Sequence, residues 1–451
     1  MVIPSPTDPQ PEDPLAYLFG LQRFGIKLGL ENMRALTAAL AHPERRFRSV
    51  LIAGTNGKGS VAAMVERGLR AAGYSTGLYT SPHLIDLGER FAVDGRAVEG
   101  VVLQQEAARI RKTIERLRAT GRPAHPPTFF EATTALAFSL FRRREIDVAV
   151  LEVGMGGRFD ATNVVRPQAV GIPSVDLDHQ RYLGATLAEI AFEKAGVIKS
   201  NTVVVSAEEK AEARDVLLRA AAARGARFVD AGAEVETRWR MDAGVTRIET
   251  LNTPHARYGP LRFALRGRHQ LRNAAVAVRL LEELSPAGLP VPHDAIEQSL
   301  ANVRWRGRLE WVDCTAGRRM LLDPAHNVAA AEALGAYVAE ICPGGLPFVF
   351  GTLADKDGAG MLAALGSAVS RVICTPIASP RARPVRDLAA AARATRPDVP
   401  VEAAASPVAG LASAWRTGPV AVVAGSMYLV GEVLQAHERG RLRPRPAPAL
   451  G

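Results

Sequence analysis

The sequence predicts an α/β protein built from two successive open, mostly parallel sheets. Short apolar runs such as DVAVLEVG (Asp147–Gly154) alternate with helical patterns, as in parallel sheets covered on both faces. The alternation lapses near Asn302–Arg308 and a second series then begins, which places a linker there. The apolar run opening LIAGTNGKGS (Leu51–Ser60) ends in a turn with three glycines and one lysine, followed at once by a helical pattern.

In chain order, AYLFGLQRFGIKLGLENMRALTAAL reads as one or two helices interrupted at Gly25 and Gly29. A strand leads into LIAGTNGKGS, a helix covers Lys58–Ala72, and a second strand lies near Gly77–Tyr79. Helices follow over Glu99–Thr120 and Phe130–Arg143, then the strand DVAVLEVG, the runs QAVGIPSV and TVVVSA, and a helix over Glu208–Ala223. Between Val235 and Leu265 short polar-alternating segments predict hairpins added to the sheet's edge. A helix resumes at His269. Beyond the linker come LEWVD, MLLDPA, a helix over Val328–Glu340, PFVFGT, RVICTP, a helix over Val385–Ala394, PVAVVAGS and a last helix after Met427. The expected division is a flexible N-terminus over 1–14, a first unit over 15–302, a C-terminal unit over 303–438 and a flexible tail over 439–451.

The length allows two or three substantial cores, and 47% hydrophobic content with 6% aromatics is ordinary globular composition. No apolar stretch reaches membrane-span length and the first residues lack a leader pattern, so a cytoplasmic protein is expected. Cys314, Cys342 and Cys374 are widely spaced and odd in number, which fits reduced thiols. A net charge of +10 attracts either nucleic acid or small anions. RIRKTIERLR interleaves a glutamate and no nucleic-acid module motif occurs, so acidic small molecules are the expected partners, with no nucleic acid and no membrane.

Gly54, Gly57 and Gly59 let the backbone approach a polyanion, the following helix aims N–H groups at it, and Lys58 adds mobile positive charge. The loop departs from the common phosphate-loop pattern: Ile52 stands five residues before Gly57, and Gly59 separates Lys58 from Ser60. In open α/β sheets ligands collect at the carboxyl ends of strands. Ser81 at the end of GLYTS, Glu152 at the end of VAVLE and His179 at the end of IPSVDLDH occupy such places. Ser81 and Glu152 suit magnesium, which prefers oxygen donors and keeps waters and phosphates; His179 is a less usual ligand. Each has an ordinary alternative: a turn hydroxyl, a helix-cap acceptor, a hydrogen-bonded imidazole. The loop EVGMGGRFDATNVV, directly after a buried strand, reads as functional.

GTNGKGS, TSPHL, ERFAVDG, TFFEATTALAF, EVGMGGRFDATN, DHQRYLG and EKAGVIK resemble folylpolyglutamate and dihydrofolate synthases of the Mur ligase superfamily. The resemblance continues through GRHQLRNAAVAV, RGRLE, DPAHN, GTLADKD and GSMYLVGEV, and so spans nearly the whole chain. It implies a P-loop ATPase-like first unit, a smaller Rossmann-like second unit, and an ATP-dependent ligase, expected to be monomeric, that joins L-glutamate to dihydropteroate, folates or both through an acyl phosphate. It further implies that Asn56, Gly57, Lys58, Gly59, Ser60, Asn273, Arg308 and Asp323 bind ATP, and that two magnesium ions are held by Ser81, Glu152, His179 and a carbamylated Lys194. Lys58, Lys194 and His326 would carry the catalysis, with His326 and Ser426 near glutamate. Lys27, Leu28, Gly29, Leu30, Thr128, Phe129 and Phe130 would border the pterin.

From the residues alone, Lys194 could instead pair with Glu189, and the two phenylalanines could merely start a buried helix. The chain departs from the family's usual residues at Pro324 in DPAHN, at Arg306 in RGRLE and in the stretch PSVDLDH. Pro324 fixes φ and removes an N–H near the ligands, which bears on the amino-acid half of the site. A peptidoglycan-precursor ligase and a nucleotide-binding homologue without catalysis are the alternative functions. TFFEATTALAF and DHQRYLG weigh against the first, and the joint retention of Lys58, Glu152, His179 and Lys194 against the second.

Overall fold

The computed structural model describes residues 13–25, 27, 29–121, 125–440 and 442. Leu28 lies outside them, as do most of the two segments expected to be flexible. No described helix is long and apolar enough to cross a membrane.

The first sheet contains β1 (Arg48–Ile52), β2 (Thr76–Tyr79), β3 (Phe91–Val93), β4 (Arg96–Ala97), β5 (Val148–Glu152), β6 (Ala169–Ile172), β7 (Val203–Ser206) and β8 (Arg227–Asp230). Its order is β4-β3-β2-β5-β1-β6-β7-β8, with β1 paired in parallel to β5 on one side and β6 on the other. β3 and β4 add an antiparallel margin. Strand periodicity sends successive side chains of β1 to opposite layers. Val50 and Ile52 join the core under helices Lys58–Ala71 and His269–Glu283. Leu51 and Ala53 join the core under helix Phe129–Arg143. A strand buried on both faces is apolar where it is enclosed, which is why Val50–Ile52 of β1 and Val148–Leu151 of β5 read as hydrophobic runs.

The segment after Val235 corrects one expectation. β9 (Glu236–Asp242), β10 (Val245–Asn252), β11 (Arg257–Tyr258) and β12 (Leu261–Arg262) form their own antiparallel sheet rather than extending the large one. Ile248, Leu251, Tyr258 and Phe263 share a core with helix His269–Glu283, so burial over that helix holds the hairpins in place.

The last sheet contains β13 (Glu310–Asp313), β14 (Arg319–Leu322), β15 (Leu346–Phe350), β16 (Val369–Cys374), β17 (Val401–Ala403) and β18 (Val420–Ala424), in the order β13-β14-β18-β15-β16-β17. Only β13 runs antiparallel to its neighbour. Phe348 and Phe350 face one core and Val349 the other, so helices cover this sheet on both sides too. The expected helices over Val328–Glu340 and Val385–Ala394 are present as Val328–Ile341 and Val385–Thr395.

Candidate functional site

The carboxyl ends of β1, β2, β5 and β6 open into a cleft of roughly 490 Å³, whose far side comes from the last sheet and the linker before it. The loop after β1 is its floor. Gly54 and Gly57 have φ of +132° and +83°, a backbone region that L side chains avoid. A Cβ on Gly57 would stand 2.3 Å from Asn273 Oδ1, so that carboxamide sits directly on the loop. Helix Lys58–Ala71 begins there with no side-chain cap, leaving its first N–H groups for an anion. Its second residue, Gly59, rests on Trp305, since a Cβ would come within 2.6 Å of the indole. Ser60 Oγ accepts from Gln270 Nε2 at 3.2 Å, and Gln270 Oε1 accepts from Asn273 Nδ2 at 2.9 Å.

Two lysines meet above this loop. Lys58 Nζ turns back to donate to the carbonyls of Gly54 and Thr55 at 3.2 and 3.1 Å. Lys194 Nζ donates to the same Gly54 carbonyl at 2.9 Å. Lys194 is only 3% exposed, and burial, then the charge of Lys58, bring its pKa down to about 7. Lys58 is lowered as well, by burial against the opposing pull of Glu152 and Asp178. Glu189, the alternative partner for Lys194, instead caps its own helix by accepting from the backbone of Ala185 and Thr186.

Glu152 ends β5, and its Oε2 accepts from the Ser81 N–H at 3.0 Å, which brings Ser81 and Glu152 together. Burial raises the Glu152 pKa although Lys58 opposes it. The glycine-rich loop that follows is organised by Asp160, whose carboxylate accepts from the N–H groups of Gly154, Met155 and Thr162 and from the Thr162 hydroxyl.

A second carboxylate, Asp178, gathers groups from both sides. Lys356 and Asn327 of the last unit donate to it, the latter at 3.2 Å, and His326 and His179 lie 3.8 and 4.0 Å away. Burial alone would raise its pKa, but His179, Lys356 and His326 outweigh that and hold the carboxyl well below the usual range. His179 has φ of +52°, an uncommon conformation for a non-glycine residue, and opens the short helix Gln180–Leu183. Asn327 also meets Asn56 of the phosphate loop at 3.0 Å and caps helix Val328–Ile341. Arg308 crosses from the linker to within 3.7 Å of Met427 Sδ. Asp323, raised by burial and opposed by Arg308, accepts from Leu309 N and Ala325 N, so the carboxylate spans Pro324. Arg306 forms surface ion pairs with Glu438 and Glu310.

Thus Asn56, Gly57, Lys58, Gly59, Ser60, Ser81, Glu152, His179, Lys194, Asn273, Arg308, Asp323 and His326 line one cleft. The other candidates stand apart from it. Ser426 caps the helix Met427–Glu438 by accepting from Tyr428 N. Thr128 forms a reciprocal capping box with Glu131, Glu131 accepts from Asn32, and Lys27 Nζ reaches Asn32 at 3.5 Å. Phe129 stacks on Phe19, and Phe130 lies against Gly154. Gly29 and Leu30 precede helix Glu31–Ala39, and Leu28 lies outside the described residues. Sequence reasoning left Gln270, Asn327 and Lys356 unassigned although their motifs were visible; Asp160 lay inside the loop read as functional without being singled out.

The donor set suits magnesium without forming a cage. Among the described residues no cluster of three or more His, Cys, Asp or Glu side chains converges, yet magnesium needs only one or two protein oxygens beside waters and phosphates. Glu152 and Ser81 at the loop's edge meet that requirement. A Lys194 amine with a pKa of about 7 is substantially neutral at physiological pH, the state that can take up carbon dioxide.

The Mur ligase middle domain matches residues 52–281 and the Mur ligase glutamate ligase domain residues 307–427. The dihydrofolate synthase/folylpolyglutamate synthase of Bacillus subtilis is 33% identical, over 84% of this chain and 87% of that protein. A probable bifunctional folylpolyglutamate synthase/dihydropteroate synthase of Haloferax volcanii is 37% identical over 79% of this chain, which spans 42% of that longer protein. An Escherichia coli FolC structure in complex with DHPP and ADP superposes with a TM-score of 0.82 at 28% identity, covering 96% of this chain and all of that one.

Proposed function

The chain belongs to the Mur ligase superfamily, among the folylpolyglutamate and dihydrofolate synthases, and from that premise we propose that its cleft joins L-glutamate to a folate-type carboxylic acid at the expense of ATP. One observation carries the reading: a phosphate loop, two buried lysines and Glu152 face Arg308, Asp323 and His326 across a single cleft. The acceptor is dihydropteroate, a folate, or both.

The triphosphate lies on Gly54–Ser60, with Lys58 leaving its resting contacts on the loop carbonyls to neutralise phosphate charge. The acceptor carboxylate attacks the terminal phosphorus, ADP departs, and an acyl phosphate forms. The ammonium of glutamate first gives a proton to solvent, its amine then attacks the acyl carbon, and the tetrahedral intermediate loses a second proton and expels phosphate to leave the amide. Two anions must be brought together first, so positioning and charge neutralisation are the main work of the site. Arg308 and Asp323 close on the nucleotide from the linker and β14. Burial keeps His326 uncharged at neutral pH, with a pKa of about 3, so it can approach an amino acid that arrives as an ammonium. Magnesium, with Ser81 and Glu152 at one ion and His179 and a carbamylated Lys194 at another, would add Lewis-acid charge at the transferring phosphoryl group. The acceptor's ring is assigned to the aromatic surface of Phe129 and Phe130, beside Thr128 and Lys27. The working units are 15–302 and 303–438, and the enzyme is taken as a cytoplasmic monomer.

The test is phosphate release with ATP, magnesium and glutamate, run separately with dihydropteroate and with tetrahydrofolate. Release that depends on neither acceptor would reject the proposal; dependence on one or both assigns the branch.

A further inference from the structure

The segment RIRKTIERLR (Arg109–Arg118) has no part in the reaction described above, and its charges divide between two faces of helix Gly100–Ala119. The interleaved Glu115 is taken by Arg111 at 2.7 Å, one turn earlier on the helix. Arg109, Lys112 and Arg116, at positions i, i+3 and i+7, share another face. That face lines an open concavity of roughly 600 Å³, completed by Arg142 and Arg143 at the end of helix Phe129–Arg143. Arg142 also lines a second concavity of roughly 720 Å³, together with Arg45, Arg46 and Arg48. Eight different cations therefore follow one another along two adjoining hollows.

Few of these charges are met. Buried Glu106 pairs with Arg143 at 2.8 Å and with Arg109 at 3.7 Å, and Glu44 pairs with Arg45 at 3.3 Å. Arg142 and Arg48 donate to the carbonyls of Leu40 and Gly288, which leaves their charge uncompensated. Arg46, Lys112 and Arg116 form no ion pair or hydrogen bond with the described residues. Glu145 and Asp147 also line the second hollow, but neither forms an ion pair with the described residues, and Asp147 accepts from Ser75 N. Helix dipoles favour Arg116, Arg142 and Arg143, which lie in last turns. They do not account for Arg109 and Lys112 in mid-helix, or for Arg48 at the start of β1. A concave surface of one sign concentrates its potential and draws in counter-ions.

The lining indicates which anion. The hollows lie at the amino ends of β1 and β5, about 16 Å of strand away from the cleft at the carboxyl ends, so the substrates of the cleft do not reach them. No base finds a stacking platform there: Phe47, the one aromatic residue of the two linings, is half-buried and packs on Phe138 and Phe141. The apolar part of the first hollow is Ala39, Leu40 and Pro43, without the aromatic anchors of a protein interface. Seven of the eight cations are arginines, whose planar forks match phosphate oxygens. Arg109 to Arg116 alone covers about 10 Å of helix, and the second hollow prolongs the track, so the ligand is extended. The geometry points to this basic track as a binding site for inorganic polyphosphate, a chain of phosphates carrying neither bases nor apolar groups.

The test is calorimetric titration of the full chain with short-chain inorganic polyphosphate at several salt concentrations. The wild type should bind, with log affinity falling linearly against log salt as counter-ions are released. Lys112→Gln/Arg116→Gln should weaken binding about tenfold or more and flatten the salt slope by about one to two, with the thermal midpoint unchanged. Arg46→Gln, at the other hollow, should flatten the slope by about one and serves in place of the double variant if that one is destabilised. Arg238→Gln/Arg240→Gln removes the same charge from exposed positions on β9 and should leave affinity within about twofold. Equal weakening by the two double variants would reduce the effect to net charge and overturn the inference, as would absence of binding. A saturating non-hydrolysable ATP analogue should not displace the polyphosphate; displacement would place it on the phosphate loop and reject the track. Single-stranded RNA and oligoglutamate of matched charge should bind more weakly. If either binds as tightly, the track does not select a bare phosphate chain and the inference falls.

Discussion

The two walls of the cleft are built by different means. The wall from the first sheet is local: a loop with forced glycine conformations, a helix start without a cap, and carboxylates bound to backbone N–H groups a few residues away. The wall from the last sheet reaches the first through long or polar side chains, Arg308, His326, Asn327 and Lys356, several of which meet on Asp178. Loss of a side chain from the first wall should therefore stop the chemistry, whereas loss of Asn327 or Lys356 from the second should weaken closure and leave the chemistry intact.

The sharpest test of that contrast is Lys194→Ala. The buried amine sits on the Gly54 carbonyl and on the proposed route to a carbamate, so kcat should fall by about a thousandfold or more. Added short carboxylic acids should restore part of the rate by replacing the missing anionic ligand. Full activity in the unsupplemented variant would remove the first wall's privileged role.

On the second wall, Lys356→Met breaks the ion pair with Asp178, in which both side chains are nearly buried. The expected outcome is a fall of about 10- to 100-fold in kcat/KM for glutamate or ATP, with single-turnover chemistry at saturation changed much less. Loss of the single-turnover step as severe as in Lys194→Ala would erase the distinction between the walls.

The contrast also explains what could be read from the chain. The first wall was legible because backbone conformation and strand ends leave marks a few residues long: glycines at Gly54 and Gly57, Ser81 and Glu152 just past apolar runs. The second wall was legible mainly through its resemblance to a family, since Asn327 and Lys356 act on residues far away in sequence. Their partner Asp178 lies more than a hundred residues earlier, and no local pattern announces such a pairing. The hairpins after Val235 were recognisable as hairpins, but whether they extend a sheet or cover a helix depends on tertiary burial, which alternation alone does not encode.

Outside both walls, Thr128 tests whether the region beside Phe129 is scaffold or site. Its hydroxyl accepts from Glu131 N in a capping box, so Thr128→Ala should cost about 1 kcal/mol in chemical denaturation. If Thr128 also touches the acceptor, the acceptor KM will rise as well. An unchanged KM would leave it a cap.

The smallest effect expected concerns the seam between the walls. His269 begins the helix that carries Gln270 and Asn273, and burial, then the nearby charge of Arg308, lower its pKa to about 4. An ordinary histidine in the unfolded chain titrates near 6.5, so between those values the unfolded state holds the extra proton. Stability contributed at this position is therefore intact above about pH 6.5 and is lost as the pH falls toward about 4. On acidification a protonated His269 would oppose Arg308 from across the seam. His269→Gln, which cannot take up that proton, should lose less stability than the wild type between pH 7 and pH 5. The difference should be on the order of 1 kcal/mol in denaturant titrations at the two pH values. Identical pH dependence in the two proteins would mean that the seam tolerates a second cation beside Arg308, and that the walls are coupled more loosely than the contacts on Asp178 imply.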